Sequence, residues 1–142
     1  MIFKSKSEED TLKIGKEIAA LLIGGDILSL VGNLGAGKTV LTRGISDSLG
    51  IKKGVKSPTF TLMNIYSTNN KQGIKFICHI DAYRLNKAQD LLNIGAQDYF
   101  SDPEVLTIIE WGDKAKDILP RRAKTITIET TSESDRKIKF GK

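Results

Sequence analysis

The sequence has almost no cysteine. Cys78 is the only one, so no internal disulfide can form. That excludes the disulfide-stapled scaffold of a small secreted domain and makes a reducing cytoplasm the expected compartment. No apolar run approaches the ~20 residues that a membrane-spanning helix needs. Met1 to Lys6 also lacks the apolar segment of an export signal. Repeats, linkers and low-complexity tracts are missing too, so residues 1–142 are expected to form a single domain with a core that buries roughly two-thirds of the unfolded surface. Acidic residues are outnumbered, 17 against 22 Lys and Arg. The net charge of +5 admits an acidic partner, RNA included, without pointing to one.

What the chain does have is a stretch around which the rest is arranged. Asp26-Ile27-Leu28-Ser29-Leu30-Val31 is an apolar run preceded by Gly24-Gly25, and it reads as a buried strand. It leads directly into Gly32-Asn33-Leu34-Gly35-Ala36-Gly37-Lys38-Thr39, which has the spacing Gly, four residues, Gly-Lys-Ser/Thr. Val40, Leu41, Gly44, Ile45, Ser48 and Leu49 then recur at helical intervals, and Gly50 stands where a helix would stop. Strand, glycine-rich loop and helix together make a P-loop. Glycines let the backbone wrap a phosphate so that several N–H groups converge on its oxygens, and the helix adds the positive end of its dipole. Lys38 is placed to reach the outer phosphates, and the Thr39 hydroxyl to ligand a bridging magnesium ion.

Around this centre the pattern predicts an α/β fold, with parallel strands about the P-loop and antiparallel strands at the edges. Ser7 to Asp10 has the form of a helix cap, followed by a helix with Leu12, Ile18, Ala19 and Leu22 on one face. Ile51 to Pro58 reads as a basic loop, and Ser57 and Thr59 flank Pro58 where P-loop proteins place a segment that responds to the terminal phosphate. Leu62 to Tyr66 and Ile74 to Ile80 form a hairpin, and in its second strand Ile74, Phe76, Cys78 and Ile80 alternate with Lys75, Ile77 and His79. A short helix follows Asn86, then irregular chain through Tyr99, Phe100 and Pro103. Val105 to Ile109 is a second buried strand, and a brief helix spans Lys114 to Leu119. Thr125 to Glu129 pairs with Lys137 to Phe140. Cys78 is expected to fill core rather than to react.

A P-loop also needs an acid at the end of a neighbouring strand. Asp81 and Glu110 each close an apolar run, and either one can hold the metal while the other handles the attacking water. His79 alternates with Cys78 and is expected on the opposite sheet face from the acids, as a structural or hydrogen-bonding residue. A guanine-specific Asn-Lys-x-Asp is lacking, since Asn86-Lys87-Ala88-Gln89 has no acid, which argues against a GTPase. A small-molecule P-loop kinase shares the loop and the acids, but no arginine-rich lid is evident. Arg84, Arg121 and Arg122 are the only arginines between the hairpin and the last strand pair, which begins at Thr125. A nucleotide-dependent binding module that does not hydrolyse is the third reading.

Four motifs in order, Gly32 to Thr39, Ser57-Pro58-Thr59-Phe60, His79-Ile80-Asp81-Ala82-Tyr83-Arg84-Leu85 and Ile109-Glu110-Trp111, resemble the TsaE (YjeE) family. This is the bacterial P-loop ATPase of tRNA threonylcarbamoyladenosine formation. The resemblance runs from Thr11 to the end of the chain. It implies a weakly hydrolysing subunit stimulated by TsaB and TsaD, which transfer a threonylcarbamoyl group to an adenosine next to the anticodon, with tRNA met only through that complex. It also implies ATP as substrate and Mg2+ as cofactor. Nucleotide contacts would come from Asn33, Leu34, Gly35, Ala36, Gly37, Lys38, Thr39 and Val40, with Thr11 at the base or ribose. Thr39 and Glu110 would serve the metal, and Lys38 and Asp81 catalysis. Arg84 and Trp111 would stand at the site edge or face a partner. Two positions depart from the family pattern, Asn33 where Asp is common and Ile65 where Glu is common.

Overall fold

Ser7 begins the first helix as its side-chain cap, its Oγ accepting the Asp10 N–H at 3.0 Å, with Glu8, Glu9 and Asp10 at the positive end of the dipole. The computed structural model describes residues 1–33, 35–51, 63–83, 85 and 89–141. In chain order these form β1 (Ile2–Ser5), α1 (Glu8–Ala19), β2 (Ile27–Gly32), α2 (Lys38–Ser48), β3 (Met63–Ser67) and β4 (Phe76–Asp81). After them come α3 (Gln89–Asn93), α4 (Ala96–Phe100), β5 (Val105–Glu110), a 3-10 helix (Gly112–Ile118), β6 (Lys124–Thr130) and β7 (Arg136–Gly141).

One seven-stranded sheet has the order β1-β7-β6-β2-β5-β4-β3. The inner pairs β6–β2, β2–β5 and β5–β4 are parallel, and the outer pairs β1–β7, β7–β6 and β4–β3 are antiparallel. The expected arrangement is therefore the observed one. Parallel strands are covered on both faces, which explains why β5 is buried along its whole length. One face packs Leu28, Leu30, Ile77, Leu106 and Ile108 against α1 and α2 through Ile18, Leu41 and Ile45. The other packs Ile27, Cys78, Ile80 and Ile109 against Leu91, Ala96, Phe100 and Ala115 of the shorter helices. Burial pushes the Cys78 thiol up to about 12, so it is an inert core group.

Three details differ from the sequence reading. Ile2–Ser5 is a strand, paired with Lys139 to Arg136 at the far end of the chain. The stretch through Tyr99 is partly helical, because Gly95 takes a positive φ of 81° and starts α4. In β4 all of Ile77 to Ile80 is buried, because the strand lies between β3 and β5 with a core on each face, and Phe76 at its start is exposed.

The contact that aims α2 at the site is glycine against glycine. A Cβ on Gly44 would meet the Leu12 carbonyl oxygen at 2.5 Å, and one on Gly15 would meet the Leu41 carbonyl oxygen at 2.8 Å. Both obstacles are backbone, so the helices can approach this closely only without side chains there. Gly44→Ala is expected to lower stability by about 1–3 kcal/mol despite its better helix propensity. Gly141→Ala, with nothing within 4 Å, should stay within about 0.5 kcal/mol of wild type. Urea unfolding of both variants checks this.

Candidate functional site

The sheet's parallel strands end together. Asp81 at the end of β4 stands opposite Glu110 at the end of β5, and Leu30 of β2 stands on Glu110's other side. Beyond Leu30 the chain turns through the glycine loop, where Gly35 has φ 80° and Gly37, the cap of α2, has φ 104°. Both values lie in the left-handed region that favours glycine. Ala36 is buried beneath the loop, and its N–H donates to the Asn33 carbonyl at 3.0 Å.

Lys38, the first residue of α2, is 5% exposed. Its Nζ donates to the carbonyls of Gly32 at 2.7 Å and Asn33 at 2.9 Å. The same ammonium lies 3.9 Å from the centre of the Trp111 ring. Trp111 is held there with φ 60° at the start of the 3-10 helix, and Tyr83 packs on it at 4.9 Å between centroids. Loss of water lowers the Lys38 pKa from its ordinary 10.5, and the charges of Glu110, Asp81 and Asp113 oppose that shift.

Next along the helix, Thr39 Oγ1 donates to Glu110 Oε1 at 3.0 Å. The second Glu110 oxygen meets His79 Nε2 at 2.5 Å. Asp81 Oδ1 accepts the Tyr83 N–H at 3.0 Å. Gly35, Gly37, Lys38, Thr39, Val40, Asp81, Tyr83, Glu110 and Trp111 line one cleft of about 350 Å³. A second cleft of about 240 Å³ shares Gly35, Gly37 and Val40 with it and adds Ser7, Glu8, Thr11, Ala36, Ser134 and Arg136.

Most predicted residues thus meet. Lys38, Thr39, Asp81, Glu110 and Trp111 share one cleft, and Thr11 lines the other with its hydroxyl on Ser5 Oγ at 2.7 Å. Asn33 is exposed, and its carbonyl supports Lys38. Leu34, Ser57, Thr59 and Arg84 lie outside the described residues. One placement is corrected. His79 shares the sheet face of Asp81 and Glu110, because residues two apart along a strand point the same way. The alternation from Cys78 to His79, continued by two residues, carried that information.

Arg136 is the residue that sequence reasoning missed. Its Nε donates to the Ala36 carbonyl at 3.1 Å and one terminal nitrogen to the Gly35 carbonyl at 3.4 Å. Nothing local signals this. The side chain starts β7 and meets the loop 100 residues away, a proximity that only the sheet order creates.

A family model described as "Threonylcarbamoyl adenosine biosynthesis protein TsaE" matches residues 5–138. The chain belongs to the TsaE family. It is 36% identical over 134 residues to the tRNA threonylcarbamoyladenosine biosynthesis protein TsaE of Treponema pallidum, covering 94% of this chain and 95% of that one. To the Bacillus subtilis protein of the same name it is 34% identical over 138 residues, covering 97% and 83%. The crystal structure of Bacillus subtilis YdiB matches it with a TM-score of 0.76 at 30% identity, over 99% of this chain and 83% of that one. This TsaE-family member has no helix among its described residues long and apolar enough to cross a membrane.

The lowered Lys38 pKa gives a signed test. Between the folded pKa and the ordinary 10.5 the unfolded chain holds a proton that the folded one lacks, so Lys38 adds stability as pH rises through that window. Wild type is expected to gain stability relative to Lys38→Met as pH rises toward 10.5, as read by urea midpoints. A difference that falls over this range would reverse the sign.

Proposed function

We propose that this protein is the ATP-hydrolysing subunit of the machinery that forms threonylcarbamoyladenosine next to the anticodon of tRNA. It works in the cytoplasm, turns over slowly by itself, is stimulated by TsaB- and TsaD-type partners, and meets tRNA only through their complex. Its relatives' names support the process. The observation that carries the chemistry is the Thr39–Glu110 hydrogen bond in the cleft that also holds Lys38 and Asp81.

The donors fit magnesium. They are hard oxygens, a hydroxyl 3.0 Å from a carboxylate with a second carboxylate in register across the strands. No group of three or more His, Cys, Asp or Glu side chains placed to hold a metal ion occurs among the described residues. That matches an ion held mainly by phosphates and water, with one or two protein ligands. Thr39 and Glu110 would hold it, and bound there it would neutralise charge between the outer phosphates. Thr39 can keep its proton on Glu110 while its lone pairs face the metal. The first N–H groups of α2, which have no partner within the helix, bind phosphate oxygens. Lys38 supplies a mobile positive charge by exchanging its backbone carbonyls for phosphate. Asp81, partly exposed at the cleft wall, orients the attacking water and accepts its proton.

No arginine lines this cleft among the described residues. An arginine at the transferring phosphate typically contributes about 10³–10⁵ in rate, so a partner that supplied one would raise turnover on that scale. ATP turnover is therefore measured for the protein alone and with the purified TsaB–TsaD pair. A rise with the pair is expected, and fast turnover unchanged by the pair would defeat the reading. Lys38→Ala is expected to stay folded and lose tight ATP binding, so undiminished affinity would remove the P-loop assignment.

The two acids separate by phenotype. Asp81→Asn should spare ATP binding and lower turnover by about 10²-fold or more. Glu110→Gln should weaken the magnesium dependence of binding instead. Exchanged phenotypes would exchange the roles.

A further inference from the structure

The chain has a single histidine and buries it completely. A buried imidazole costs free energy unless both ring nitrogens are hydrogen-bonded. At His79 only Nε2 has a partner, the Glu110 carboxylate, and Nδ1 has none among the described residues. An aliphatic side chain would pack between Ile77 and the neighbouring Ile108 without that cost. The packing therefore gives no reason for a histidine here, whereas Glu110 does.

Glu110 is itself 3% exposed, so its carboxylate depends on neighbours to fix its direction. One oxygen receives Thr39 from the first turn of α2, and the other receives His79 from β4. The tautomer with its proton on Nε2 makes His79 a charge-assisted donor and leaves Nδ1 as an unpaired acceptor, the cheaper group to bury. Held on both sides, the carboxylate cannot rotate away from the helix. We propose that His79 is a positioning residue, the rear anchor that aims Glu110 at Thr39 and at the ion they hold. This rests on the reading of Glu110 as a metal-side acid. Losing such a partner typically costs about 10–100-fold in metal affinity, and its position fixes the ligand without touching the ion.

The test uses ADP binding titrated with Mg2+, together with the ring-nitrogen NMR signals of the sole histidine. His79→Leu is expected to raise the Mg2+ concentration for half-maximal effect by about 10–100-fold. ADP affinity in chelator should not change. His79→Gln, which keeps an N–H donor, should recover most of the loss. In wild type the His79 signals should report a proton on Nε2, and they should shift on Glu110→Gln and on adding Mg2+ to the ADP complex. Wild-type Mg2+ dependence in a folded His79→Leu, with Glu110→Gln impaired, overturns the positioning role and leaves the Glu110 reading standing. Unchanged Mg2+ dependence in both variants overturns both. If His79→Leu does not fold, the outcome rests on His79→Gln and the ring signals. Signals that ignore both Glu110→Gln and Mg2+ overturn the proposal.

Discussion

Parallel pairing is the constraint on which the site depends. Strands β4, β5 and β2 run the same way, so their C-terminal ends fall along one edge, and each delivers a group there at no further cost in chain. Asp81 and Glu110 sit directly across from one another, and Glu110 lies beside Leu30, just before the loop. An antiparallel neighbour would have sent one of these acids to the far edge. The loop needs α2 to start at this edge as well, and the Gly15–Gly44 crossing sets how closely α2 can lie against α1. Sheet register and helix approach together bring Thr39 within 3.0 Å of a residue 71 positions away.

The central half of this was legible in the sequence. An apolar run, a glycine-spaced loop and a helical repeat are local patterns, and so is an acid that closes an apolar run. The strand ends at Asp81 and Glu110 were found for that reason. The burial of His79 beside Glu110 follows from counting by twos along β4, a signal that was present. β1 gave no such signal. Four residues, one of them a lysine, become a strand only because β7 from the other terminus lies beside them. Arg136 is the same case for the site. Its sequence neighbours are those of a polar turn, and its role arises from a contact spanning 100 residues. Local chemistry is written locally, and contacts made by sheet order are not.

The buried polar groups of the site form one chain of support. His79 holds Glu110, Glu110 holds Thr39, and Thr39 follows Lys38 in the first turn of α2. Behind Lys38, Trp111 offers a ring face to a partly dehydrated ammonium. Trp111 directly follows Glu110, so β5 sets both the acid and the aromatic wall. A displacement of β5 would therefore disturb the Thr39–Glu110 contact and the wall behind Lys38 together. That coupling agrees with β5 being the most completely buried strand, flanked by β2 and β4.

Under the proposed function, the loop's own peptide groups give two cations a task before any phosphate arrives. A glycine-rich loop has carbonyls as well as N–H groups, and carbonyl dipoles facing the cleft would repel phosphate. Here Lys38 takes the carbonyls of Gly32 and Asn33, and Arg136 takes those of Gly35 and Ala36. With these four acceptors turned toward cations, the unpaired donors at the start of α2 remain available to the cleft. The two cations differ in what they can do next. Arg136 is tied as well to the carbonyls of Ser132, Glu133 and Asp135 in its own turn, so it is a fixed brace. Lys38 holds two carbonyls with a compact charge on a flexible stem, so under the proposed function it is the cation that exchanges them for phosphate. The fork-shaped cation that braces the loop is tied by five carbonyls, and the point charge by only two.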